Sequence, residues 1–92
     1  MDMRERFEWV NSDFLKFERI ENKLSTRPDL HAFVLLNKLF PSDSDIVENA
    51  SHDVIHLGVT EDDIEKLTDD HILELTRCGV MFDDYDCLSM FT

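Results

Sequence analysis

Two glycines, Gly58 and Gly79, and two prolines, Pro28 and Pro41, are the whole supply of strong turn-formers in 92 residues. A β-sandwich or barrel needs many such turns, so this scarcity argues against one and for a chain built mainly of helices. Leu, Ile, Val and Phe account for 29 of the 92 residues. That is well above the level of about a fifth at which high charge leaves a chain disordered. The expectation is a single folded domain with one core, α+β in class: mostly helical, with a small antiparallel sheet of two or three strands.

Phe7, Val10, Phe14, Phe17, Ile20 and Leu24 recur at steps of three and four, which predicts a helix from about residue 3 to residue 24. Asn11-Ser12-Asp13 interrupts it with side chains that compete for backbone hydrogen bonds, and these could instead cap a second, shorter helix. Thr26-Arg27-Pro28-Asp29 reads as a capping box. The broad apolar helix it opens, to about Phe40, is the expected central core element, and Pro41 ends it. Ser42-Asp43-Ser44-Asp45 reads as the cap of a short helix to Ala50. Residues 53 to 59 and 85 to 91 predict strands that pair antiparallel, with Val80 to Phe82 as a candidate third. Thr60 and Thr68 each open an acidic helix, and Gly79 follows the second as its closing residue.

The charge is divided as sharply as the structure. The formal net charge is −12. Residues 1 to 40 carry seven acids and seven bases, so this neutral, helical half contributes nothing to it. Residues 41 to 92 carry fourteen acids, namely Asp43, Asp45, Glu48, Asp53, Glu61, Asp62, Asp63, Glu65, Asp69, Asp70, Glu74, Asp83, Asp84 and Asp86, against Lys66 and Arg77 alone. Acids favour the positive end of a helix dipole, which accounts for the five or six in first turns. It does not account for fourteen, and such an asymmetry points to a surface that faces a basic partner.

Direct nucleic-acid binding is excluded as a primary role, because a duplex carries about one negative charge per 1.7 Å and would repel this chain. No apolar run approaches the ~18 residues of a membrane span, no signal-type apolar segment follows the N-terminal residues, and Cys78 and Cys87 fit a reducing cytoplasm. Catalytic motifs are missing: no nucleophile elbow, no zinc-protease helix, and too few glycines for a phosphate loop. His52, His56, Cys78 and Cys87 match no standard zinc spacing, so no metal is expected. A calcium loop counted from Asp83 has Leu88 where glycine is required and runs out before its last ligand. No cofactor follows from any of these residues, and the chain does not read as an enzyme.

The acidic surface remains. Carboxylates four apart on a helix, as in Glu61 with Glu65 and Asp70 with Glu74, stand about 6 Å apart along the axis. A row of such pairs, extended by the turn at Asp83 to Asp86, would offer a DNA-binding groove a charge density of the kind it meets on DNA. The chain from MDMRERFEWVNSDFLKFERIENK through HLGVTEDDIEKLTDDHILELTRCGVMFDDYDCLSMFT resembles, over its whole length, the anti-restriction nuclease (Arn) family of T-even bacteriophages. The resemblance implies an early phage protein in the cytoplasm of the infected bacterial host, acting as a double-stranded DNA mimic. Its implied partner is the host McrBC restriction endonuclease, which cuts DNA bearing modified cytosine. A basic, histone-like nucleoid protein is a further candidate for the same surface.

Two other classes compete with this reading. An immunity-type or antitoxin-type module would inhibit a nuclease by shape, through an aromatic anchor such as Tyr85 or Trp9. A small metal-dependent or acid–base enzyme would need a site among the carboxylates that no motif marks. The stripe of Phe7, Phe14 and Phe17 fits either the core or the contact of a homodimer. A two-fold dimer would lengthen an acidic track limited by a domain only about 26–30 Å across.

Overall fold

The computed structural model describes residues 2–91. Helix α1 spans Met3–Trp9 and is capped by the Asp2 carboxylate, which accepts from the Glu5 amide at 2.9 Å. The helix expected to reach residue 24 ends there. Asn11–Asp13 and Phe17–Arg19 form short 3₁₀ turns instead. Between them Leu15 takes a left-handed conformation, φ 62°, and its amide donates to the Thr76 carbonyl at 3.2 Å. The cause is the local competition that Asn11-Ser12-Asp13 introduces, reinforced by a tertiary ion cluster: the Asp13 carboxylate accepts from Arg19 at 2.9 Å and from Arg77 at 3.2 Å. The apolar periodicity still did its work, because Phe7 and Ile20 both reach the core.

Helix α2 spans Pro28–Leu39, with Pro28 in its first turn as expected. The capping box does not form. Arg27 is the N-cap residue, Asp29 accepts from the neighbouring Leu30 amide, and the Arg27 amide is taken by the Ser25 hydroxyl. His31, Ala32, Leu35 and Leu36 are its buried face. The His31 ring is fully buried, accepts at Nδ1 from the Leu24 amide at 3.0 Å, and packs edge-on to Phe17. It ties the irregular segment before α2 to the core.

Residues 42 to 50, expected as a short helix, supply a strand. Strand β1, Val47–Ser51, pairs antiparallel with β2, Val54–Leu57, through a turn in which His52 has φ 54°. The Ser-Asp-Ser-Asp cap signal precedes no apolar helical stripe, so the hairpin with the β-branched run wins. Helices α3, Glu61–Glu65, and α4, Asp69–Arg77, follow, each opened as expected by its threonine. The Thr60 hydroxyl accepts from Asp63, and Thr68 forms a reciprocal capping box with His71 in the place where Glu or Gln usually stands. Gly79, φ 95°, closes α4.

Strands β3, Val80–Phe82, and β4, Leu88–Phe91, complete a four-stranded antiparallel sheet in the order β1-β2-β4-β3. The class is α+β, with a larger sheet than expected because β1 joins its edge. In register, Ile55 faces Met90, which faces Val80, and Leu88 faces Phe82. Alternation puts these on one face, under α1 and α4, where Phe7 stacks on Phe82 with ring centroids 5.6 Å apart. His56, Ser89 and Met81 share the opposite face.

Candidate functional site

The fourteen acids of the C-terminal half fall into two sets. Five lie against a basic group of the same chain: Asp63 with Lys66 at 3.2 Å, Asp69 with Arg6 and Asp86 with Arg4 at 2.9 Å, Glu74 with His31 at 3.5 Å and Asp83 with His56 at 3.4 Å. Among the described residues no basic side chain pairs with Asp43, Asp45, Glu48, Asp53, Glu61, Asp62, Glu65, Asp70 or Asp84. All nine are exposed. Arg4 and Arg6 of the neutral half are thus committed across the fold, Arg6 also donating to the Leu67 carbonyl at 2.8 Å where α3 passes into α4. The bridges tie the two halves together and leave the surplus carboxylates facing outward.

Asp83 is a turn residue rather than a surface anion. Its Oδ1 accepts from the Tyr85 and Cys87 amides at 2.9 and 3.1 Å, and its own amide donates to the Cys87 carbonyl at 2.8 Å. The three residues so enclosed, Asp84 to Asp86, form a tight hairpin loop that ends in a left-handed residue, Asp86 at φ 60°. The loop holds Asp84 and Tyr85 out into solvent.

The acids converge unevenly. Burial raises the Cys87 thiol above its ordinary value, and Asp83, Glu48, Asp86 and Glu61 push it further in the same direction. Carboxylates from the hairpin loop, from β1 and from the start of α3 therefore act at one point. Glu61 and Glu65 also line a cavity with Asp2, Arg4 and Asp86. Asp70 and Glu74 border a different cavity, which they share with Arg19 and Arg77. The single row expected from helical spacing is divided between these two places.

On the outer sheet face, Glu48, Asn49, Ser51, His56, Tyr85 and Cys87 line a cavity of about 610 Å³. Consecutive strand residues ordinarily point to opposite faces, yet Glu48 and Asn49 both line it. The register of β1 on β2 slips between Val47 and Asn49, a bulge that re-aims the Glu48 side chain. Two of the buried polar atoms without a hydrogen-bond partner, Asp83 Oδ2 and Ser89 Oγ, lie with His56 on this side of the sheet. The bulge carries no sequence signal, whereas Tyr85 was legible as an aromatic anchor candidate.

Of the proposed dimer stripe, Phe7 is a core residue at 7 % exposure, and Phe14 and Phe17 are half-buried. The apolar groups that do reach the surface of the neutral half are Trp9, Leu15, Leu24 and Leu30, with Trp9 77 % exposed. His52 is exposed in the β1–β2 turn, His56 is half-buried on the interior strand β2, and Cys78 is in the core, its thiol pushed up to about 12 chiefly by burial. Among the described residues no group of three His, Cys, Asp or Glu is arranged to hold a metal ion, and no helix is long and apolar enough to cross a membrane. Comparison with family models, with curated proteins and with solved structures finds no match in any of the three.

Proposed function

We propose that this chain is a double-stranded DNA mimic, a stoichiometric inhibitor that occupies the DNA channel of a DNA-binding enzyme and performs no catalysis itself. The observation that carries the reading is the set of nine exposed carboxylates with no basic partner among the described residues. They are spread over the capped helices α3 and α4, the bulged strand β1, the loop before it, the β1–β2 turn and the braced hairpin loop. The longest axis is 31 Å. A duplex of that length carries about 18 phosphates, so the nine acids in total, though divided between separate places, are of the same order as the phosphates that one side of it presents.

The resemblance to the anti-restriction family directs the proposal to the McrBC endonuclease in the infected bacterial host, and a basic histone-like protein would be drawn to the same surface. Inhibition of McrBC cleavage, competed by unmodified duplex DNA and weakened by salt, tests the reading. Simultaneous binding of the inhibitor and DNA to the enzyme would refute it. A homodimer through the neutral half would lengthen the acidic track, using exposed groups such as Trp9 and Leu15 rather than the buried Phe7; sedimentation as a monomer at micromolar concentration would remove that part.

The exposure of Trp9 and Tyr85 favours a second reading, an immunity-type module that binds by shape. Alanine at either would then abolish inhibition outright, while neutralising single acids would change little.

A further inference from the structure

We propose that the cavity on the outer face of the sheet is a socket for one arginine side chain of the basic partner. The proposal rests on the mimic reading and gives that diffuse surface one point of chemical selectivity. Glu48 and Tyr85 are its two decisive groups. Tyr85 is 82 % exposed, so its ring offers a free π face at the rim. Glu48, turned in by the bulge, adds a carboxylate that no cation of the described chain neutralises. Asn49 and Ser51 add neutral hydrogen-bonding groups along the wall.

The field inside is negative. Glu48, Asp83, Asp86 and Glu61 all act on Cys87, which lines the cavity, and the one basic lining group, His56, is paired with Asp83, so a cation is favoured there over an anion such as phosphate. Asp83 is not part of the lining, and its Oδ2 faces the His56 ring at 3.4 Å, which leaves Glu48 as the carboxylate available in the cavity. The space is an open groove of about 610 Å³ on the sheet face, wide enough to admit an arginine side chain. A planar guanidinium can stack on the tyrosine while its fork of donors meets Glu48, a combination that suits it better than a compact ammonium. Arginine is therefore preferred to lysine at equal charge.

Hexa-arginine and hexa-lysine peptides test this at matched, low ionic strength, with binding measured by calorimetry and located by amide NMR shifts. The wild-type protein should bind hexa-arginine about three- to tenfold more tightly, with shifts centred on Glu48, Tyr85 and Cys87. Tyr85→Leu and Glu48→Gln should each erase most of that preference, whereas Asp70→Asn, at the other cavity, should leave the ratio intact while lowering both affinities slightly. Both positions are exposed, and the amide spectrum verifies that each variant is folded. Equal, salt-sensitive binding of the two peptides by the wild type, or a preference that survives both substitutions, overturns the socket and leaves DNA mimicry standing. Failure of both peptides to bind overturns the socket and the mimic reading together.

Discussion

Neutralising the carboxylates around α3 and the hairpin loop separates the function of the acids from their part in the fold. In the variant Glu61→Gln, Asp62→Asn, Glu65→Gln, Asp84→Asn, no salt bridge of the described chain is lost. Removing Glu61 and Asp62 from the first turn of α3 costs about 0.3–1 kcal/mol each through the helix dipole. Relief of repulsion between Glu61 and Glu65, and between Asp62 and Glu65, returns about 0.2–0.5 kcal/mol per pair. The net change centres on ~0.6 kcal/mol, or about 2–5 °C in Tm for a domain of this size. Binding responds differently. Each exposed ion pair with a basic channel is worth about 0.5–1 kcal/mol, so four together amount to about 2–4 kcal/mol and lower affinity about 30- to 700-fold. The assay is inhibition of McrBC cleavage across a titration of the protein, with thermal unfolding followed in parallel and the inhibition repeated at higher salt. The variant should also have a shallower salt dependence. Inhibition within threefold of wild type by a folded variant would refute the reasoning.

Three further outcomes follow from local geometry. Gly79→Ala should lower Tm by about 4–16 °C, because φ 95° costs a side-chain-bearing residue about 1–2 kcal/mol and the new Cβ would meet Leu15 Cδ2 at 2.7 Å; an unchanged Tm would refute the assigned backbone. The Asp13 carboxyl is held below its ordinary value of 3.8 by the Arg19 hydrogen bond, against an opposing effect of burial and with further help from Arg77. Its contribution to stability is therefore present above about pH 4 and lost as pH falls through the folded value, so Asp13→Asn should flatten the acid side of the stability profile, and a parallel profile would count against the cluster. Cys87, raised by burial and by its acidic neighbours, should alkylate slowly near neutral pH and faster in Glu48→Gln, since removing a negative charge increases the thiolate fraction; an unchanged rate would show that Glu48 does not act on the thiol.

Much of the helical and strand order was readable in the chain because its signals are local. Thr60 and Thr68 bond amides three residues on, Gly79 supplies the left-handed closure, and residues 54 to 57, His56 apart, and 80 to 82 are β-branched or apolar over strand-length runs. The misreadings share one cause. Residues 3 to 24 keep helical spacing, yet the chain turns at Asn11–Asp13 because Asp13 meets Arg77 and Leu15 meets Thr76, partners more than sixty residues away. Residues 47 to 51 carry little strand propensity of their own and become β1 because β2 offers an edge.

The sequence by itself determined that the acid belongs to residues 41 to 92, that it far exceeds what capping requires, and that no motif for catalysis or metal binding accompanies it. Those are properties of counting and spacing, which need no coordinates. Only the tertiary structure decided which carboxylates are available. Arg4 and Arg6 cross from the neutral half to Asp86 and Asp69, Asp83 turns inward to brace a hairpin, and a one-residue bulge lets Glu48 line the same cavity as Tyr85. A carboxylate's partners are set by distance in space, and chain composition records only how many carboxylates there are.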